Sequence, residues 1–279
     1  MNKIDIKQLE KISLELKRDV IEMLTEAGSG HVGGAFSIAD IITALYFGVA
    51  KVDPHNPLWE GRDYILLSNG HICPIVYAAL AKKGFFPREE LFKLRKLDGL
   101  LQGHPKIGIP GIENSSGLLG QGISQGVGIA LGLTMDRKTN KVFVISSDGE
   151  HQEGQVWEAA MAANKWDLSN LVVIIDRNGI QIDGTTEDIM PLGSIREKYE
   201  SFGWTAFEID GHNYEEILAT LAFAEKVKTP VAIIAHTVPG KGVSFMENLY
   251  QYHDWKDDPE ISRKSLEEIN SNIALLDKR

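Results

Sequence analysis

The sequence predicts a three-layer α/β/α domain on a mainly parallel sheet. Two observations carry that prediction. Short apolar runs recur at 64–67, 142–145, 171–175, 206–209 and 231–235, and segments of helical period separate most of them. Strands that read as continuous apolar runs, alternating with helices, belong to a parallel sheet covered on both faces.

Each element has its own warrant. Ile4, Leu9, Ile12, Leu16, Val20, Met23 and Leu24 recur at three-to-four spacing, which predicts an amphipathic helix over 4–27 ending near Gly28. Ser37 as N-cap with Asp40 three residues on predicts a second helix through Ile41, Ile42, Leu45 and Tyr46. Strand 64–67 runs into Ser68-Asn69-Gly70-His71 and a helix to Lys83. Residues 98–128 are rich in Gly and Ser and predict an extended loop leading into a helix near 120–133, packed closely through glycines repeating on one face. Further helices are expected at 154–165, 194–202, 214–228 and, as a charged tail, 257–279. With no repeat, linker or low-complexity tract, residues 1–279 read as one domain.

Composition narrows the function. The chain has 279 residues, 43% hydrophobic and 24% charged, which excludes a wholly disordered chain. A net charge of −10, from 29 basic and 39 acidic residues, argues against nucleic-acid and membrane-surface binding. It leaves room for a small anionic ligand held by local dipoles or a metal. One cysteine, Cys73, excludes an intramolecular disulfide and any cysteine metal cluster. The charged N-terminus lacks a signal-peptide core, and the reading is a cytoplasmic protein.

In an open parallel sheet, ligands sit beyond the carboxyl ends of the strands. Asn69-Gly70-His71, Asp148-Gly149, Asp176-Arg177-Asn178-Gly179 and Pro239-Gly240-Lys241-Gly242 all fall there. Asp148 and Asn178 are one strand–helix–strand unit apart, so neighbouring strand ends can bring them together. Carboxylate and amide oxygens suit Mg²⁺ or Ca²⁺, with the Ile180 carbonyl a possible third ligand. A protein offering so few ligands to Mg²⁺ implies a phosphorylated cofactor. Gly149 would give its amide to a diphosphate. Taken singly, Asp148 also reads as a helix cap and Asn178 as a turn residue. His31, His71 and His104 each follow a glycine in a loop, which frees the ring to project into a cleft. His55, His151, His212 and His236 read as surface or hydrogen-bonded core residues. No Walker loop is present.

Six ordered segments resemble the N-terminal half of transketolase or the N-terminal subunit of its two-gene form. They are Ser29–Gly34 (SGHVGG), Leu67–His71 (LSNGH), Gly103-His104-Pro105, Gly117–Gly122 (GLLGQG), Ser147–Gly154 (SDGEHQEG) and Asp176–Gly184 (DRNGIQIDG), spread over about residues 10–255. The resemblance implies a thiamin diphosphate-binding fold, thiamine diphosphate and Mg²⁺ as cofactors (Ca²⁺ or Mn²⁺ as substitutes), and transfer of a two-carbon ketol unit from a ketose phosphate to an aldose phosphate. It implies metal ligation by Asp148, Asn178 and the Ile180 carbonyl. It places Gly149 and His71 on the diphosphate, Gly117, Leu118 and Leu119 along the cofactor, and His31, His104 and His253 facing substrate, with His253 also touching the cofactor. Glu153 would join the cofactor-linked acidic network at the subunit interface. An obligate C-terminal subunit would supply the catalytic glutamate, in a dimer of heterodimers. The chain departs from the pattern at Ser147 (Gly), Leu118 (Pro) and Asp254 (Gly after the histidine). The competing readings are a deoxyxylulose phosphate synthase-like or 2-oxo acid dehydrogenase alpha-like subunit, and a non-catalytic regulatory half.

Overall fold

The computed structural model describes residues 5–278. Ile4 and Arg279, the outer ends of two expected helices, lie outside the described residues. Helix α1 (Ile6–Ala27) starts where the Asp5 carboxylate caps the amides of Lys7 and Gln8, and ends at Gly28 in the left-handed region, φ 66°. Helix α2 (Gly33–Ser37) and α3 (Ala39–Ala44) follow, then a π-turn at Leu45–Val49. Next come β1 (Tyr64–Leu67) and α4 (Cys73–Lys83). The stretch from Leu94 to Gly120 has no helix or strand and leads into α5 (Gln121–Met135), as expected from its composition.

From there strands and helices alternate: β2 (Val142–Ser147), α6 (Gly154–Lys165), β3 (Leu171–Arg177), the small hairpin β4 (Ile180–Gln181) and β5 (Gly184–Thr185), α7 (Thr186–Ile189), α8 (Ile195–Ser201), β6 (Thr205–Asp210), α9 (Tyr214–Ala224), β7 (Val231–His236) and α10 (Pro259–Lys278). The main sheet is wholly parallel, in the order β1-β2-β3-β7-β6.

Successive strand residues point to opposite faces, so each strand feeds two cores. Ile65, Leu67, Phe143, Ile145, Val172, Ile174 and Ile233 pack with α1, α3, α4 and α9. Leu66, Val142, Val144, Val173, Ile175 and Ile234 pack with α5, α6 and α8. That is the predicted three-layer arrangement. The charged C-terminal helix is no free tail. Ile269 and Leu276 are buried, and Lys11 of α1 meets Asp277 at 2.6 Å.

Three expectations need correction. Ser37 does not cap a helix. It sits inside α2, and its hydroxyl lies 2.5 Å from Asp176 Oδ2. Asp40 is not a capping acid either: its carboxylate meets Ser13 at 2.5 Å and His212 at 2.7 Å, tying α3 to α1 and to the loop after β6. Helix 214–228 stops at Ala224.

The close packing predicted for the α5 glycines holds on one face only. A methyl on Gly126 would come within 2.4 Å of Val144 Cγ2, whereas Gly128 has open space around it. Gly126→Ala is therefore expected to be less stable than Gly128→Ala by about 1–3 kcal/mol, because overpacking opposes a helix-propensity gain both share. Urea denaturation of the two variants checks this.

Candidate active site

The parallel register sets the site. Ser147 of β2 pairs with Asp176 of β3, and the Asp148 amide donates to the Asp176 carbonyl at 3.2 Å. Asp148 and Asn178 therefore leave the sheet side by side. Beyond them opens a cleft of about 350 Å³, whose lining includes His31, His71, Gly117, Leu119, Gly149, Asn178, Ile180 and His253. Eight predicted site residues thus meet in one place. The β4–β5 hairpin folds over Gly149 so closely that a methyl there would sit 2.7 Å from Gln181 Nε2.

Asp148 lies just beneath this lining, 1% exposed. Oδ2 accepts from Arg177 Nη1 at 2.9 Å, the Gly179 amide at 2.8 Å and the Thr186 hydroxyl at 3.2 Å. Oδ1 accepts only the Gly149 amide, at 2.8 Å. Burial pushes the Asp148 carboxyl up from its ordinary range, while Arg177 and the amides pull it down. Asn178 donates from Nδ2 to Asp176 Oδ2 at 2.9 Å, and its Oδ1 accepts the Ile180 amide at 3.1 Å. Asp148 Oδ1 and Asn178 Oδ1 each retain a lone pair, a donor set that fits a hard cation.

The histidines cluster on the other side. Ring centroids lie 5.2 Å apart for His31–His71, 5.5 Å for His31–His253 and 5.3 Å for His71–His253. Burial, reinforced by neighbouring imidazoles, lowers His31 to about 4 and His71 to about 3, and burial lowers His253 as well. All three are neutral near pH 7. They can exchange hydrogen bonds with hydroxyl groups without adding positive charge.

Three predicted residues do not line the cleft in this chain. His104 lies 6.4 Å from His31, ring to ring, on an exposed loop. Leu118 is 78% exposed, because Gly117-Leu118-Leu119 runs along the rim. Glu153 is exposed at the N-cap of α6, where Gly120 packs against its Cβ. The four histidines given no site role behave as expected. His151 is buried, its Nδ1 donating to the Ser147 carbonyl at 2.7 Å. His212 bridges Asp40 and the Val238 amide, and His55 and His236 are exposed.

Four residues acquire roles that the sequence alone did not assign. Asn69 lines the cleft and is fully buried, yet neither its Nδ2 nor its Oδ1 has a partner among the described residues. A buried amide left unpaired is costly, and a polar ligand would relieve it. Asp176 gathers Ser37, Asn178 and Thr237. Arg177 covers Asp148. Glu150, also buried, accepts the Ser68 hydroxyl and the Gly120 amide. The usable signal was an acidic or amide group at the buried end of an apolar strand.

The chain matches the family model described as "Transketolase, thiamine diphosphate binding domain" over residues 10–260. The chain belongs to the transketolase family. Curated relatives match it end to end: an apulose-4-phosphate transketolase subunit of Phocaeicola vulgatus is 40% identical over 276 residues, covering 99% of this chain and 98% of the relative. The 6-deoxy-6-sulfo-D-fructose transketolase subunit SqwG of a Clostridium species is 42% identical over 272 residues, covering 95% and 99%. Among solved structures, transketolase from Campylobacter jejuni superposes with a TM-score of 0.87 at 28% identity, covering 99% of this chain and 48% of that one. The chain thus spans about half of that transketolase and has the same α/β architecture.

Burial raises Glu150 to about 7. A carboxyl whose folded pKa exceeds its unfolded value favours the fold most at low pH. That contribution is lost as pH rises from about 4.5 through about 7. The chain without ligands is expected to lose roughly 1–3 kcal/mol of stability between about pH 5 and pH 8 from this group, and Glu150→Gln to lose correspondingly less. Denaturation midpoints at the two pH values measure it.

Proposed function

We propose that this chain is the diphosphate-holding subunit of a two-chain transketolase. It moves a two-carbon ketol unit from a ketose phosphate to an aldose phosphate, with thiamine diphosphate and Mg²⁺ as cofactors and Ca²⁺ or Mn²⁺ able to replace the metal. The observation that carries this reading is the cleft itself. Oxygen donors Asp148 and Asn178, the unpaired amide of Asn69 and three neutral histidines converge at the carboxyl edge of one parallel sheet. Bound thiamine diphosphate supplies a nucleophilic carbon and an electron sink.

The chain's own residues do the rest. Asp148 Oδ1, Asn178 Oδ1 and the Ile180 carbonyl would hold the metal, and Gly149 and His71 would hold the diphosphate. Arg177 neutralises Asp148 and has a second partner in Glu187 at 2.5 Å, so it can yield Asp148 to a cation without being left alone. His31 and His253 orient substrate hydroxyls, with His104 reaching in from the rim. Neutral imidazoles do this without bringing bulk water into the site.

A partner chain completes the site. Leu118, Leu119, Ile182, Ile189 and Met190 stand exposed around or near the cleft, an apolar rim for another polypeptide to cover. End-to-end relatives named as subunits support a separate C-terminal chain that brings the catalytic glutamate, and Glu153 then faces that interface. The assembly is a dimer of heterodimers in the cytoplasm. The names of relatives point to a phosphorylated or sulfonated sugar as substrate class. No described helix is long and apolar enough to cross a membrane.

With the partner present, calorimetry should show thiamine diphosphate binding that requires a divalent ion, and EDTA should abolish it. Asp148→Ala should remove that binding while leaving far-UV circular dichroism unchanged; unchanged affinity would refute the metal assignment. Asn69→Leu should raise the stability of the ligand-free chain by about 1–2 kcal/mol while weakening cofactor binding roughly tenfold or more, since it removes a buried unpaired amide that the ligand would satisfy. Thermal denaturation and titration test the two halves of that trade.

A further inference from the structure

Beside His31 and His253, outside the residues that line the cleft, stands a carboxylate, Asp254. Residues 30–32 and 253–255 form a short antiparallel bridge: the Val32 amide donates to the His253 carbonyl at 3.2 Å, and the Trp255 amide to the Gly30 carbonyl at 2.7 Å. Directly opposed residues of such a bridge put their side chains on the same side. His31 and Asp254 are that pair, and His31 Nε2 lies 3.3 Å from Asp254 Oδ1. One ligand atom from each of His31, His253 and Asp254 lies within 4.8 Å of the others. The Asp254 side chain is 54% exposed, so its second oxygen is open to a ligand.

A carboxylate facing one ring nitrogen decides which nitrogen of a neutral imidazole bears the proton. His31 is neutral, and its Nδ1 is buried with no partner among the described residues. We propose that Asp254 is a positioning and specificity-determining residue: it fixes His31 as the Nε2–H tautomer and offers its free oxygen to a substrate hydroxyl at the open end of the histidine cluster. The negative charge disfavours an anionic group at that end, so a phosphate or sulfonate must lie away from it. The role toward substrate rests on the transketolase reading above; the tautomer does not.

Two measurements test this. In the full chain labelled with ¹⁵N-histidine, the His31 signals (identified by their loss in His31→Gln) should report a single Nε2–H tautomer near neutral pH. In Asp254→Gly the Nε2–H signal should shift, because the carboxylate facing it is gone. Identical signals in both proteins would overturn the proposal, as would a shift of the wild-type signals on adding EDTA, which would show that the three residues hold a metal instead. In the enzyme reconstituted with its partner, Asp254→Gly should raise KM for a ketose phosphate roughly tenfold, the loss of one charge-assisted hydrogen bond, with kcat changed much less. Asp254→Asn, which does not loosen the backbone, should raise KM in the same direction. Unchanged KM in both variants would overturn the substrate role. Failure of the transketolase reading would appear separately, as absence of cofactor binding in the wild-type pair.

Discussion

Three carboxylates buried at the edge of a parallel sheet organise this molecule. Asp148, Glu150 and Asp176 are each at most 1% exposed. Buried carboxylates need donors, and here the donors come from segments distant in sequence. Ser37 and Thr237 converge on Asp176; Ser68 and Gly120 on Glu150; Arg177, Gly179 and Thr186 on Asp148. Meeting those demands draws the segments into one rim. The cleft is the space left between them.

This rim also explains why so much charge sits in so little water. The aliphatic layers on both faces of the sheet hold the strands rigidly, and the strand ends deliver polar groups to fixed points. Asn114 adds to this at the sheet's outer edge: its amide pairs with both the amide and the carbonyl of Leu67. An edge strand is thereby closed by a side chain instead of another strand. Ser68, Asn69 and His71, just beyond it, are held where the cleft needs them.

The fold was legible because parallel strands advertise themselves as apolar runs, and their order along the chain fixed the layers. The metal-side pair, Asp148 and Asn178, was legible for a related reason: strand–helix–strand spacing puts successive strand ends together. Helix boundaries were read less well around Ser37 and Asp40. Both look like capping residues locally, yet both are recruited by partners far away, Asp176 and His212, which no local pattern reveals. Arg177 was hidden for the same reason, since its role depends on the hairpin that brings Glu187 back toward it. Leu118, His104 and Glu153 sit on the rim or beyond it, where one chain leaves them exposed.

The bridge between residues 30–32 and 253–255 joins the first loop of the domain to the last. His31 and His253 lie 222 residues apart in sequence, with all seven described strands between them. Contacts of such long sequence separation carry a large loop-closure cost and form late. His253 can therefore join His31 and His71 only once synthesis has passed residue 253, so no shorter nascent chain can hold the complete three-histidine cluster.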